Sequence, residues 1–157
     1  METRNENAEK VVGIFEKSIE CAKWLENAAE SADSPSLKRY FIYKYTEENK
    51  FAEVLRLELL KNDTSFDQSL NSNSENILGD FHKICLDIKS YFSATSDESM
   101  LEEFKISEAV TLEEFDEVLN EEYLQLELRN ILRLKFKVTK NDFENIKTLE
   151  DVENQFK

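Results

Sequence analysis

The sequence predicts an all-α fold, an antiparallel four-helix bundle with one long crossover that carries an additional short helix. Three observations lead there. The 157 residues include only two glycines and one proline, and chains so poor in turn residues are usually helical throughout. Apolar residues recur at i, i+3, i+4 and i+7 over long stretches, the period of a helix rather than a strand. The polar breaks between those stretches are few, and only one of them is long. The length suits one domain with a substantial core. It is placed at residues 7–153, with 1–6 and 154–157 as frayed ends.

The first helix is expected from about Asn7 to Ser31 or Ala32, with Val12, Phe15, Ile19, Ala22 and Ala29 as its inner row and Val11, Ile14 and Leu25 on one flank. Asp33-Ser34-Pro35 stops it. Ser34 suits the N-cap of the next helix and Pro35 its first turn, and so short a connection forces an antiparallel hairpin. The second helix, about Pro35 to Lys61, has Leu37, Phe41, Phe51, Leu55 and Leu59 inside. Lys44 and Glu48 share that face one turn apart, while Tyr40, Glu47 and Val54 mark its edge. Asn62 to Glu75, rich in Asn, Ser, Asp and Thr, is the long linker. A shorter helix follows from about Asn76 to Phe92, and Ser96 caps a fourth segment from about Asp97 to Glu122. The fifth, about Tyr123 to Val152, carries Leu124, Leu128, Ile131, Leu132, Phe136, Phe143, Ile146 and Leu149.

Glu108 is the anomaly of the fourth segment. It interrupts the row Leu101, Phe104, Leu112, Phe115, Leu119, two turns from Leu101 and two from Phe115. A carboxylate pointing into a helix bundle must meet a cation, a metal or strong hydrogen bonds, or else take up a proton. Lys44, and Lys135 on the fifth segment, are the cations placed to neutralise Glu48 and Glu108 with no metal.

Net charge is −14, which disfavours nucleic acid and anionic lipid as partners. No apolar run approaches the roughly 20 residues of a membrane span, and the polar start lacks a signal-peptide core, so a cytoplasmic location is expected. Cys21 and Cys85 lack CxxC spacing; reduced thiols in packed helices are the plain reading, a disulfide the other. Charge is also uneven. Eleven acids and a single base, Lys105, lie between Asp97 and Glu122, whereas Arg129, Arg133, Lys135, Lys137 and Lys140 follow with no acid among them. Neighbouring helices so charged attract and select one another as partners.

Two hairpins joined by a long crossover make the ferritin-like arrangement. Several short stretches carry a family resemblance: Ala28-Ala29-Glu30 with Ser34-Pro35-Ser36-Leu37-Lys38; Glu47-x-x-x-Phe51; His82-Lys83 with Leu86-Asp87-Ile88-Lys89-Ser90; and Leu101-Glu102-Glu103 with Glu108 five residues on. In this order and spacing the chain, over roughly Val11 to Asp151, resembles the bacterial ferritin-like four-helix proteins catalogued as a domain of unknown function. The resemblance implies the fold and no established activity. It also implies interior glutamates in the second and third bundle helices, at Glu47 and Glu108, and one in the first helix, where this chain has Ala22.

Ferritin-like enzymes hold iron or manganese with carboxylates from two helices and a Glu-x-x-His pair from each of the others. The sole histidine, His82, follows Gly79 by three, and no Glu-x-x-His occurs. Glu26 is the nearest substitute for Ala22, and Leu128 to Asn141 contains no Asp, Glu or His. With Gly13 and Gly79 as the only glycines there is no phosphate loop, and no His–Ser or His–Cys motif offers a nucleophile. Glu113, Glu114, Asp116, Glu117, Glu121 and Glu122 read as a solvated acidic face, with loose calcium binding as the lesser alternative. Trp24, opposite Phe15 and Ala22, either covers a neighbouring helix or anchors a partner; with Tyr43 and Tyr45 it offers a dimer face across the first hairpin.

The expected function is a non-enzymatic structural or protein-interaction module with a degenerate metal site and no cofactor. It would self-associate or bind a protein partner, not nucleic acid or membrane. The alternative is an iron- or manganese-binding ferritin-like protein using Glu47 and Glu108, with Glu26 as a third ligand.

Overall fold

A computed structural model describes residues 2–62 and 94–157, with side chains from residue 9 in the first segment. Among the described residues there are five helices and no strand: α1 (Glu2–Ser31), α2 (Pro35–Asn62), α3 (Asp97–Leu119), α4 (Leu126–Asn145) and α5 (Leu149–Gln155). The linker and short helix expected between Asn62 and Phe92, with His82 and Cys85, lie outside the described residues.

The four long helices form a closed ring in which α1 packs on α2 and α3, and α4 packs on α2 and α3. Contacts fix every neighbouring pair as antiparallel. Lys10 and Lys17 of α1 meet Glu121 and Glu114 of α3, while Trp24 stacks on Phe104. Lys105 donates to the Phe143 carbonyl of α4 and Arg129 donates to the Leu119 carbonyl. No described helix is long and apolar enough to cross a membrane.

The α1–α2 turn is built as its residues demand. Ser34 Oγ accepts from Leu37 N–H at 3.3 Å, and Pro35 opens α2, where a missing N–H costs nothing. The buried Asp97 at the start of α3 accepts from the N–H groups of Asp33 and Ser34 at 2.9 and 2.8 Å, tying the second half of the chain to the apex of the first hairpin. Ser96 caps α3 by accepting from Ser99 N–H.

Several expected boundaries move. α1 begins at Glu2, not Asn7. The fifth segment is two helices: Ile146 turns extended, and Thr148 and Asp151 form a reciprocal capping box that starts α5. Past α5, Phe156 packs on Tyr40 and Tyr43 with ring centroids 5.2 and 5.6 Å apart. The inner face of α1 is also rotated. Val11 and Leu25, read as flank, are fully buried, while Val12 and Ile19 are partly exposed. That rotation carries Trp24 from the expected outer surface to the flank facing α3. Tyr40, read as an edge residue, is fully buried, and Val54 beside it in that reading is exposed.

The apolar core has two halves. One gathers Val11, Phe15, Phe51, Leu55, Phe115 and Leu132. The other gathers Leu25, Leu37, Phe41, Phe104, Ile146 and Val152. Between them lies a layer of charged side chains.

Candidate functional site

The layer is supplied by one stretch of each helix. On α2, Lys44 and Glu48 stand one turn apart between Phe41 and Phe51, so the helix that drives those aromatics inward drives the charges inward too. On α3, Glu108 is held in the row between Phe104 and Phe115. On α4, Lys135 and Asp142 are seven residues apart and share the stripe begun by Leu128. On α1 the same level carries small side chains, the buried Ser18 and Ala22 with Cys21 beside them, which leaves room for the lysine stems.

Lys44 Nζ lies 3.0 Å from Glu108 Oε2 and 3.1 Å from Asp142 Oδ2. Lys105 Nζ approaches the other Glu108 oxygen at 3.5 Å. Lys135 Nζ lies 2.7 Å from Glu48 Oε1. Three ammonium groups therefore face three carboxylates in the interior. Lys44 and Glu108 are only 2% and 4% exposed, so water screens this contact little. Lys44 and Lys135 also rest against the Phe104 and Phe51 rings.

The contacts at Glu108 are ionic rather than well-directed hydrogen bonds. Its two oxygens have ammonium neighbours at contact distance, yet among the described residues neither accepts a bond of good geometry, and none gives the buried Tyr40 hydroxyl a hydrogen-bond partner. Burial works to lower the pKa of Lys44, but the charges of Glu108 and Asp142 outweigh it and hold the pKa above its usual value. For Lys105 burial wins over Glu108, and its pKa is lowered. Burial, reinforced by nearby carboxylates, pushes up the Tyr40 phenol, the Tyr43 phenol and the Cys21 thiol. A thiol held protonated is a poor nucleophile.

Each expected site residue has a definite place. Lys44, Glu48, Glu108 and Lys135 come together in the layer. The partners are Lys44 with Glu108 and Lys135 with Glu48, while Lys44 and Glu48, neighbours on α2, each reach across to another helix. Glu26 is exposed and lies 3.7 Å from Lys23; Glu47 is part-buried on α2. Among the described residues no three His, Cys, Asp or Glu side chains are grouped to hold a metal ion. Among the described residues, the ammonium groups of Lys44 and Lys105 sit against Glu108, where they would repel a further cation.

Trp24 is stacked on Phe104 at 5.9 Å and meets Phe41 edge-on at 5.7 Å, so it covers a neighbouring helix. Tyr43 donates to Asp142, and Tyr45 packs against the core half around Phe41. The acidic row of α3 finds part of its balance on α1, at Lys10 and Lys17, rather than in the basic run of α4 that composition pointed to. Arg129 instead caps the end of α3, donating to the Leu119 and Glu121 carbonyls.

Two members of the layer escape the sequence reading. Asp142 stands one residue beyond the acid-free stretch Leu128 to Asn141, and its seven-residue spacing from Lys135 is the available signal. Lys105 reads as an isolated base in an acidic helix, although it precedes Glu108 by three and so shares its side.

No curated protein and no solved structure matches the chain. A family model described as "Domain of unknown function (DUF2383)" matches residues 8–121, a stretch that includes Lys44, Glu48, Lys105 and Glu108 and stops short of Lys135 and Asp142. With most of its length matched, the chain belongs to the DUF2383 family of unknown function.

Proposed function

We propose that this protein is a ferritin-like helical bundle that has exchanged metal for internal lysines, and that it works as a non-enzymatic structural or protein-interaction module. The observation that carries the proposal is the placement of Lys44 between Glu108 and Asp142. A bundle that uses interior carboxylates to hold iron or manganese keeps cations of its own away from them. Here the neutralising charge is built into the chain. A reducing cytoplasmic setting and association with a second copy or a protein partner belong to the same proposal.

Metal analysis of protein purified without chelator tests it, with Glu108→Ala alongside. The expected result is iron and manganese far below one per chain in both proteins. Stoichiometric metal that disappears in Glu108→Ala would replace this proposal with the metal-binding alternative.

A further inference from the structure

We infer that the outer face shared by α3 and α4 is a self-complementary surface on which a second copy of this chain docks. The inference rests on the interaction-module reading above and gives that module its contact surface. On α3, Glu98, Glu102, Glu113 and Asp116 recur at spacings of four, eleven and three and form one exposed stripe. On α4, Arg133, Lys137 and Lys140 form an exposed stripe at spacings of four and three, with Leu126 seven residues before Arg133 on the same line. The contacts Lys105–Phe143 and Leu119–Arg129 set the helices side by side in antiparallel register. They place Glu113 and Asp116 level with Arg133 and Lys137. Among the described residues no ion pair joins the two stripes, so both present their charge to solvent.

Beside the Glu98–Glu102 end of the acidic stripe, where α3 meets the end of α4 and the start of α5, an open groove of about 650 Å3 is lined by Ile106, Ala109, Phe143 and Leu149, with Glu102, Lys105 and Lys147 also lining it. Ile106, at the edge of this groove, is 60% exposed. An apolar side chain so exposed beside a groove, with charged residues around it, has the anatomy of a contact patch.

The charge pattern selects the occupant. Two chains of net charge −14 repel in most orientations. One two-fold arrangement turns repulsion into attraction. With the axis parallel to the helices, α3 of each copy lies over α4 of the other at the same level, and every acidic stripe meets a basic one. Glu113 then faces the partner's Lys137, Glu102 faces the partner's Lys147, and Ile106 enters the partner's groove beside Phe143. This surface is separate from the Trp24, Tyr43 and Tyr45 side chains, whose rings are packed within the chain itself.

Sedimentation velocity of the full chain over a range of concentrations, at low and at high salt, tests the inference, with circular dichroism to confirm that each variant is folded. The wild-type chain is expected to dimerise at low salt and to dissociate as salt screens the stripes. Ile106→Glu should be monomeric. Lys137→Glu should weaken the dimer about tenfold or more, and adding Glu113→Lys to it should restore most of the loss. Lys50→Glu, the same charge change on the exposed surface of α2, should leave the dimer intact. A wild-type chain monomeric at every concentration would overturn self-association altogether. A dimer untouched by Ile106→Glu and Lys137→Glu would overturn this face alone, leaving the interaction-module reading in place.

Discussion

An ammonium group has three donors and can serve two carboxylates at once, and Lys44 is placed to do so between Glu108 and Asp142. Removing it leaves buried negative charge uncompensated, which costs about 3–5 kcal/mol. Lys44→Ala is therefore expected to lower unfolding stability in urea by roughly that amount. Glu108→Gln should cost less than half as much, because Lys44 retains Asp142 and Lys105 retains the Phe143 carbonyl. If neither variant changes the denaturation midpoint, the layer contributes no stability. Trp24→Ala should cost about 2–3 kcal/mol, below the range for a fully buried aromatic because the ring is only part-buried. The loss should appear in unfolding curves while the oligomeric state is unchanged. At this scale the interruption of an apolar row made Lys44, Glu48 and Glu108 legible. The exchange of partners between them was not legible, since periodicity assigns a side chain to a face but does not say which neighbouring helix it reaches.

Helix positions were legible where caps are strong and less so where they are not. Ser34-Pro35 fixed the start of α2 and Ser96 that of α3, because both motifs act through local geometry alone. The division of the last segment was missed although Thr148-x-x-Asp151 is a capping-box spacing. The apolar row continues through Ile146 and Leu149 and conceals the stop. Thr148→Ala is expected to cost about 1 kcal/mol and to loosen α5, which limited proteolysis near the C-terminus would register as faster cleavage. The rotation of α1 has a related cause. Its apolar residues span more than one face, and only the presence of both α2 and α3 decides which face is innermost. Lys10, Lys17 and Trp24, seven apart, mark the α3 side; that heptad was visible in the sequence but mixes charge with an aromatic, so hydrophobic periodicity passed over it.

For the whole molecule the buried groups combine into a pH dependence. Cys21, Tyr40, Tyr43 and Lys44 all have pKa values raised from their usual 9.0, 10.0, 10.0 and 10.5. A group with a higher pKa folded than unfolded stabilises fully below its unfolded pKa, and that contribution is lost as pH rises towards the folded value. Stability should accordingly decline from about pH 9 upwards. Lys105, shifted the other way, opposes this in the range just below 10.5. Urea titrations across the alkaline range should show the decline, and phenolate absorbance from Tyr40 should emerge only with unfolding. An unchanged midpoint through pH 11 would contradict the burial on which the argument depends. The all-helical class was legible at this scale from composition and period. The splitting of the core into two apolar halves was not, because it depends on Asp142 and Lys135 arriving at the level of Lys44 from a distant part of the chain.

The charged layer also governs how the hairpins slide past each other. Lys44–Glu108, Lys44–Asp142 and Glu48–Lys135 all bridge from α2 to the helices of the second hairpin. A displacement by one helical turn, about 5.4 Å, would carry each ammonium away from its acid and into aliphatic surroundings. Apolar packing alone tolerates such slippage far better, since one leucine replaces another at small cost. The layer is thus a mechanical detent: it lets the two halves engage at one axial setting and makes the adjacent settings expensive.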